Sequence, residues 1–359
     1  HETLLDGIDS PAAKAVLAFF RAWQSEQAAA YPALAANMEE ILAGANLIFQ
    51  YNGCFIHEDP LIRRVWDAYY QTSGDGPEMV CLVTGQKGSV ESIHPAIKNV
   101  SGAQSSGAAL VSFNAPAFCS YGKEQNCNAP TSKYAAFAYT TALNHLLADR
   151  DHVYRMGDTT VVCWAKSGGN VYQNIFGWAC MGQSPSYSLN DLQSALQNLC
   201  AGQAVLFDEE RLSPDMEFYI LGLSPNAARL SVRFFLRDTF GTFLRNAQAH
   251  QTRLEIVKPA YDKFDTLPLW KLLDETVNQN ARDKTPAPNL AGEVLRAVLN
   301  NTPYPATLRN SVALRIRAER EVTRGRAAIL KAYYLKNTHP DVPKEVLTVS
   351  LNPDSTNPA

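Results

Sequence analysis

A chain of 359 residues with 46% apolar residues is long enough for two or three domains and can bury a sizeable core, which predicts a soluble globular protein. No apolar run approaches the roughly 20 residues of a membrane-spanning helix, and the first residues lack the layout of a signal peptide, which argues against residence in a membrane. The formal net charge is only −3, but residues 1–225 hold 12 Lys and Arg against 22 Asp and Glu, whereas residues 226–336 hold 19 against 10. A basic segment of this size is typical of proteins that bind an anionic partner such as nucleic acid.

The cysteines argue for a reducing compartment. There are seven of them, they form no C-x-x-C pair, and most lie among apolar neighbours, as in "TVVCWA" and "WACMG". This pattern predicts buried free thiols in the cytoplasm. Cys54 and His57 would supply half of a zinc site, but no second half with matching spacing occurs. We therefore predict no metal ion and no other cofactor.

The first third of the chain predicts helices and short strands. Residues 11–46 are rich in Ala, Leu and Phe and predict a helix that is broken near Pro32. In "NLIFQYNGCFIHED", Asn52 and Gly53 are a strong hairpin dipeptide, and Pro60 then marks the start of a helix. The apolar runs "EMVCLVTG" and "GAALVSFN" predict buried strands because glycine flanks each of them.

The middle of the chain continues with a helix and hairpins. "SKYAAFAYTTALNHLLAD" is apolar on most faces, which predicts a buried helix, and "HVYRMGDTTVVCWAKSGG" predicts a hairpin that turns near Gly157 and Asp158. Ser188 predicts the N-cap of a helix over "SLNDLQSALQNLC". "MEFYILGLSPNAARLSVRFFLRD" predicts two strands around a Ser-Pro-Asn turn, and a helix follows them.

From about residue 266 onward the pattern is helical, with breaks near 284–289 and 301–305. The predicted fold class is α+β: a mixed or antiparallel sheet domain with packed helices, followed by a mainly helical region. We predict a helical N-terminal segment over 1–46, an α+β nucleic-acid-binding core over 47–250 and a helical basic region over 251–336. Residues 337–359, which end in the polar "LNPDSTNPA", are predicted to be a linker, and the chain, which starts at His1, is expected to be a fragment.

The segment "HPAIKNVSGAQSSGAALVSFNAPAF" contains a loop of small, hydrogen-bonding residues at 101–107. The loop has a purely structural interpretation, as a connector that lets two strands pack, and two functional ones. An enzyme could use Ser105 or Ser106 as a nucleophile, but no G-x-S-x-G motif is present, and the chain has no P-loop, no G-x-G-x-x-G and no H-E-x-x-H motif. The loop could instead hold nucleic acid, because Gly and Ser keep side chains short and Gln104 is both donor and acceptor.

Five motifs resemble a known family in order and spacing. They are "CLVTGQ", "HPAIKNVSGAQSSGAALVSFN", "SYGKEQNCNAPTSKYAAFAYTTALNHLL", "GDTTVVCWA" and "FYILGLSPNAARLSVRFF". The chain resembles the large subunit of the type I-C (Dvulg subtype) CRISPR surveillance complex, Cascade, over most of residues 47–336. Members of that family are longer at both ends and continue into a helical bundle, so the resemblance implies that this chain is a central portion.

The resemblance implies a subunit without enzymatic activity. It would bind target duplex DNA near the protospacer-adjacent motif, help to open the duplex, and recruit the helicase-nuclease, while guide RNA reads the sequence by base pairing. Its partners would be guide RNA, target DNA, the subunit that holds the 5′ handle of the guide, the backbone subunit and the small subunit. No membrane partner is implied.

We predict that nucleic acid is contacted by polar and basic side chains of these motifs and of the basic segment. They are Lys98, Gln104, Ser105, Ser106, Asn114, Lys123, Gln125, Asn226, Arg229, Arg233, Arg237, Arg317, Arg320 and Arg324. No catalytic residue and no metal ligand is predicted.

The strand "ARLSVRFFLRD" carries the most specific of these predictions. Alternation places Leu230, Val232, Phe234 and Leu236 in the core and puts Arg229, Ser231, Arg233, Phe235 and Arg237 on the opposite face. That second face would either follow a nucleic-acid backbone or be a solvated surface, with Arg237 paired to Asp238 or Glu217. A further basic set, Arg317, Arg320, Arg324 and Lys331, would share one helix face unless Gly325 breaks the helix.

Two other classes of function stay open beside the nucleic-acid-binding subunit. The first is a hydrolase or transferase that uses the 101–107 loop as an anion-binding site. The second is a structural scaffold whose basic region packs on an acidic partner. Steep salt dependence of DNA binding would separate the nucleic-acid-binding subunit from both.

Overall fold

The computed structural model describes residues 1–338 except for Ser73, Asp75, Pro185, Ser186, Tyr261, Lys263, Asp283 and Pro288. The predicted linker therefore lies outside the described residues from position 339 onward. The chain forms two compact units: the first contains His1–Pro95 and Val111–Tyr139, and the second contains Ala96–Leu110 and the residues from Thr140 onward.

The first unit consists of short elements. Its helices and strands are α1 (Glu2–Leu5), α2 (Pro11–Ala22), α3 (Pro32–Ala36), α4 (Met38–Leu42), β1 (Gln50–Tyr51), β2 (Cys54–Phe55), α5 (Pro60–Thr72), β3 (Glu78–Val80) and β4 (Lys87–Ser89). Helix α6 (Lys133–Ala148) begins in this unit and continues into the second.

Local sequence signals define several of these elements. The predicted break near Pro32 is present, because α3 begins at that proline, but the predicted helix over 11–46 is also interrupted after Ala22 and at Asn37. The predicted hairpin at Asn52 and Gly53 is also confirmed: β1 pairs with β2, and both turn residues have positive φ, as this two-residue turn requires. A small core forms where α1 and α2 meet the start of α5, and it contains Leu5, Ala12, Ala13, Val16, Leu17 and Ile62.

Of two predicted buried strands, one is present but not buried and the other is absent. In "EMVCLVTG" Glu78–Val80 forms β3, which pairs only with β4 among the described residues, and Leu82 beyond it is 70% exposed. In "GAALVSFN" the structure shows isolated bridges at Ala108 and Ala109 but no strand. Both runs are apolar enough for a strand, yet neither has a long partner strand with which to pair.

The second unit is built on an antiparallel four-stranded sheet with the order β10-β9-β6-β5. Its elements are β5 (Val153–Met156), β6 (Thr159–Ala165), α7 (Val171–Phe176), α8 (Leu189–Cys200), β7 (Val205–Phe207), β8 (Glu210–Leu212), β9 (Glu217–Asn226), β10 (Arg229–Thr239), α9 (Phe240–Leu254), α10 (Leu269–Asp274), α11 (Leu290–Leu299), α12 (Ala306–Glu319) and α13 (Arg324–Asn337). The predicted hairpin at Gly157 and Asp158 and the predicted N-cap at Ser188 are confirmed.

One face of this sheet, the inner face, carries the main core. Val161, Cys163, Phe218 and Ile220 are fully buried and pack in one cluster with residues of α7 to α13. The other face, the outer face, carries Thr160, Val162 and Trp164 of β6, because side chains alternate along a strand. An α+β fold with antiparallel sheets, packed helices and a helical C-terminal region is therefore confirmed.

A β-bulge in β10 changes the predicted faces of that strand. Val232 pairs with Leu223, but the next paired residue is Phe234, opposite Gly222, so Arg233 is an extra residue. Leu223 and Gly222 are neighbours and point to opposite faces, so Val232 and Phe234 do so as well. The prediction of one arginine face is therefore wrong, and Val232 is 51% exposed rather than in the core. One inserted residue is enough to reverse the alternation.

The predicted single helix face of basic residues is also wrong. Helix α12 ends at Glu319, Arg320 adopts a left-handed conformation with φ of 54°, and α13 begins at Arg324. Gly325 lies in the first turn of α13 and does not break it. Among the described residues, no helix is both long and apolar enough to traverse a bilayer.

Candidate nucleic-acid interface

The segment Ala96–Leu110 folds back on itself as a narrow loop. The backbone groups of Ile97 and Ala108 form two mutual hydrogen bonds of 2.9 Å. Gly107 has φ of 98°, and a Cβ atom there would lie 2.8 Å from the carbonyl oxygen of Ile97. A side chain at this position is therefore excluded by both conformation and space.

Three backbone contacts attach this loop to the outer face and to the end of the sheet. The Ser101 N–H donates to Thr160 Oγ1 at 3.0 Å. The Ala109 N–H donates to the carbonyl of Ala228 at 3.0 Å, and the Leu230 N–H donates to the carbonyl of Ala109 at 2.9 Å. These backbone contacts agree with the interpretation of the loop as a structural connector, because the loop packs on the neighbouring strands.

The loop brings several predicted residues to the turn between β9 and β10. Gly102 lies beside Pro225, the residue before Asn226, and Ala109 is hydrogen bonded on both sides of Arg229. We call Gln104, Ser105, Ser106, Asn226 and Arg229 the turn cluster. All but Arg229 are exposed, and the side chains of Gln104, Ser105 and Ser106 form no hydrogen bond with any residue that the structure describes.

Lys98 lies at the base of the same loop. Its side chain is exposed, and its backbone N–H donates to Asn144 Oδ1 of α6 at 2.7 Å. Asn144 Nδ2 in turn donates to the carbonyl of Ala96 at 3.0 Å. Sequence reasoning missed Asn144 and Thr160, which position the loop, because a single Asn or Thr in an apolar element has no distinctive pattern.

Arg233 has a different role from the one that alternation predicts. Its guanidinium donates to Asp158 Oδ2 at 2.9 Å and to Ser224 Oγ at 3.1 Å, and both members of the ion pair are largely buried. The Ser224 hydroxyl also donates to Asp158 at 3.1 Å. Arg233 therefore links the β5–β6 turn to β9 and β10. Asp158 is a third residue whose role at this site sequence reasoning missed.

Arg237 lies at the other end of β10 and on the opposite face from Arg229, since it pairs with Tyr219 and Arg229 pairs with Asn226. It forms an ion pair with Glu217, which also accepts a hydrogen bond from Lys166. The hydrogen bonds from Lys166 and Arg237 lower the pKa of the Glu217 carboxyl to about 2, so this group stays charged. Together, Lys166, Arg237 and Glu217 carry one net positive charge.

The C-terminal arginines divide into exposed and buried ones. Arg317 and Arg320 are exposed around the end of α12. The Arg324 side chain is only 10% exposed, and it donates to Asp262 Oδ2 at 2.8 Å and to the carbonyls of Phe264 and Asp265. Arg324 is thus engaged by partners within the chain through both terminal nitrogens of its guanidinium.

The remaining predicted residues belong to the first unit. Lys123 and Gln125 are exposed on a loop held by Asn128, whose side chain accepts from the Ser120 N–H and donates to the carbonyl of Gln125, both at 2.9 Å. Asn114 is exposed as well. These residues form no part of the turn cluster as defined.

The described residues contain no recognisable hydrolytic arrangement around the loop. A serine nucleophile needs a base within hydrogen-bond reach. Neither Ser105 nor Ser106 hydrogen bonds to a described His, Asp or Glu side chain. Within the same described part of the chain, no three His, Cys, Asp or Glu side chains are grouped so as to hold a metal ion.

Comparison with known proteins gives the family. No curated protein matches the chain. A family model described as CRISPR-associated protein (Cas_Csd1) matches it over residues 1–359. The match covers the complete sequence, including both halves of the turn cluster. The chain therefore belongs to the Cas_Csd1 family of CRISPR-associated proteins.

Proposed function

We propose that the chain is the large subunit of a type I-C CRISPR Cascade complex and that its turn cluster contacts target duplex DNA near the protospacer-adjacent motif. In this role it has no catalytic activity. It helps to open the duplex and recruits the helicase-nuclease in the cytoplasm, beside guide RNA, the 5′-handle-binding subunit, the backbone subunit and the small subunit. Family membership supports the complex, and the turn cluster supports the DNA contact.

The observation that carries the DNA contact is the composition of the exposed turn. Gln104 offers a donor and an acceptor, Ser105 and Ser106 are short, and Arg229 adds a cation on the strand that Ala109 of the same segment bridges. Short polar side chains on a narrow loop can enter a minor groove, where the base edges distinguish A·T from G·C pairs. Arg229 and Lys98 are suited to the phosphates on either side.

The same exposed hydroxyls are all that favours the alternative, a hydrolase or transferase that binds an anion at residues 101–107. That function needs a base beside Ser105 or Ser106, and the DNA-binding function does not. The turn cluster has donors and a cation without such a base among the described residues, so it fits binding better than bond cleavage.

Replacing Gln104 tests base recognition. In the assembled complex, Gln104→Ala should weaken binding to duplexes with the correct adjacent motif by about 1–3 kcal/mol and bind scrambled duplexes almost as before, because only base contacts carry sequence information. The matched control is Gln203→Ala, which removes an exposed glutamine from another loop. An equal loss for both kinds of duplex, or none for either, would leave the loop as a structural connector.

Replacing Arg229 tests the phosphate contact. Arg229→Ala should weaken binding to all duplexes alike and reduce the slope of log affinity against log salt by about one. Arg211→Ala, which removes an exposed arginine of β8, is the control, and thermal stability is recorded for both variants. An unchanged slope with intact folding would exclude Arg229 from the interface.

A further inference from the structure

The outer face of the four-stranded sheet is buried in one part and exposed in another. Thr160 and Leu223, which pair with each other across β6 and β9, are fully buried, as is Val162, and Thr160 accepts a hydrogen bond from the segment Ala96–Leu110. In the exposed part, Trp164 and Tyr219 are partly exposed and Phe235 is 54% exposed. The register places all three rings on the outer face, because Trp164 pairs with Tyr219 and Phe235 lies beyond the bulge.

These three side chains, which we call the aromatic platform, form a compact group of nearly parallel rings. The centroids of Trp164 and Tyr219 are 5.3 Å apart, with an angle of 10° between the ring planes. Tyr219 and Phe235 are 6.2 Å apart at 25°, and Trp164 and Phe235 are 6.4 Å apart at 35°. Phe235 lies on β10, an edge strand, so a further flat ring can stack beside it.

Cations flank the platform at a regular spacing. Lys166 follows Trp164 by two residues, and Arg237 follows Phe235 by two residues, so each cation is about 6.6–6.8 Å along the strand from a ring on the same face. Their side chains are 64% and 60% exposed. Glu217 lies between them and is bonded to both, so its charge is already compensated and the group as a whole attracts anions.

We propose that the aromatic platform binds an unpaired segment of nucleic acid, with bases stacked on Phe235 and its neighbours and phosphates beside Lys166 and Arg237. Stacked rings with adjacent cations are the combination that recognises single strands without sequence preference. The inference rests on the proposed function, since a subunit that opens a duplex must meet unpaired bases. It adds a second surface, separate from the turn cluster along the same sheet.

Affinity for a single strand tests the proposal. The probe is a fluorescently labelled oligothymidylate of about 12 nucleotides, titrated with the purified full chain and followed by anisotropy. Phe235→Leu keeps an apolar side chain of similar size but has no ring face, so it should weaken binding about tenfold or more. The affinity of Phe235→Tyr for oligothymidylate should stay within about twofold of that of the wild type, because tyrosine keeps the ring.

Val232→Ala is the matched control, because Val232 is equally exposed on the same strand and face but lies outside the platform. Its affinity for oligothymidylate should be that of the wild type. If Phe235→Leu behaves like Val232→Ala, or if the wild-type chain does not bind oligothymidylate at all, the proposal is wrong and the platform is a protein-packing surface.

Photo-cross-linking gives a second readout that needs no variant. With 5-iodouracil in the oligonucleotide, irradiation should attach the probe to the peptide that contains Phe235 or to those that contain Trp164 and Tyr219. Cross-links confined to other peptides would overturn the proposal even if Phe235→Leu folds poorly.

Duplex DNA separates this proposal from the proposed function. Phe235→Leu should leave the affinity for a blunt duplex with the correct adjacent motif unchanged, whereas Gln104→Ala should lower it. A chain that binds oligothymidylate through Phe235 but fails to bind duplex would refute the duplex contact and retain the platform. If duplex binding depends on Gln104 but single-strand binding does not depend on Phe235, the duplex contact is retained and the proposal for the aromatic platform is refuted.

Discussion

At the scale of single residues, His250 shows how burial fixes a charge state. It lies within the second unit, where its Nδ1 atom is 2.6 Å from the Tyr304 hydroxyl, and this hydroxyl accepts a hydrogen bond from Arg253 Nε at 3.1 Å. Burial first, and the charge of Arg253 second, lower the pKa of the imidazole to about 3. His250 is therefore neutral, and its Nδ1 atom forms a hydrogen bond with the Tyr304 hydroxyl.

This arrangement predicts acid sensitivity. The pKa of His250 in the folded chain is below its unfolded value of 6.5, so the unfolded chain binds the extra proton first. Its contribution to stability is complete above about pH 6.5 and is lost as the pH falls toward 3, by up to about 1.4 kcal/mol per pH unit. Urea unfolding at a series of pH values should show this slope in the wild type and a shallower one in His250→Asn.

The control for this prediction is His145→Asn, because His145 is exposed on α6 and its replacement should leave the slope as it is in the wild type. A slope that is the same in the wild type and in His250→Asn would mean that other groups determine the acid sensitivity.

At the scale of elements, the sequence predicts the turns and helix starts that depend on the residues at those positions. The hairpins at Asn52 and at Gly157 follow from their turn residues, and the helix starts at Pro60 and Ser188 follow from capping preferences. The β10 bulge could not be predicted in this way. Nothing in "ARLSVRFFLRD" marks Arg233 as the extra residue, because its place depends on Asp158, Ser224 and the partner strand.

The candidate site shows the same limit. The composition of the 101–107 loop and the basic segment identified Gln104 and Arg229 as exposed or partly exposed polar residues, but the bridge between Ala109 and Arg229, which attaches the loop segment to β10, has no signal in the sequence. Arg324 was predicted from charge alone and is buried with Asp262, since a basic pattern does not distinguish an exposed cation from one in a buried ion pair. Whether these residues contact nucleic acid stays a prediction.

Gly222 permits a test of the packing at the bulge. It faces Phe234 across β9 and β10, and a Cβ atom at Gly222 would lie 2.5 Å from Cε1 of that ring. Gly222→Ala should therefore lower the free energy of unfolding by about 1–3 kcal/mol, measured by urea denaturation. In a Phe234→Leu background the same substitution should cost less, because the ring atoms that it would meet are absent.

Gly292→Ala serves as the control for Gly222→Ala. A Cβ atom there would lie 3.5 Å from the same ring atom of Phe234, which is ordinary contact, and alanine favours the helix α11. We expect no loss of stability from it. An equal loss for Gly222→Ala in both backgrounds would show that the strain comes from the backbone of β9 and not from Phe234.

At the scale of the whole molecule, the chain distributes its apolar packing unevenly. The main core of the second unit joins the inner face of the sheet to helices from α7 to α13, whereas the core around α2 contains few fully buried side chains. Stability follows buried apolar area, so segments with small cores open at a lower free energy than the global transition. The predicted division at residues 46, 250 and 336 was based on composition and could not anticipate that residues 96–110 pack with the second unit.

Native-state hydrogen exchange should reveal this difference. We expect the amides of Val161, Cys163 and Ile220 to exchange only by global unfolding, and those of Val16 and Leu17 in α2 to exchange at a free energy at least about 2 kcal/mol lower. Amides of Phe243 and Leu244 in α9 are the control, because α9 is helical like α2 but packs on the main core. Their free energies of exchange should equal those of the sheet amides. That result would show that the lower value in α2 comes from its small core and not from its being a helix. If α2, α9 and the sheet all exchange at one free energy, the two cores unfold together and the whole chain is a single cooperative unit.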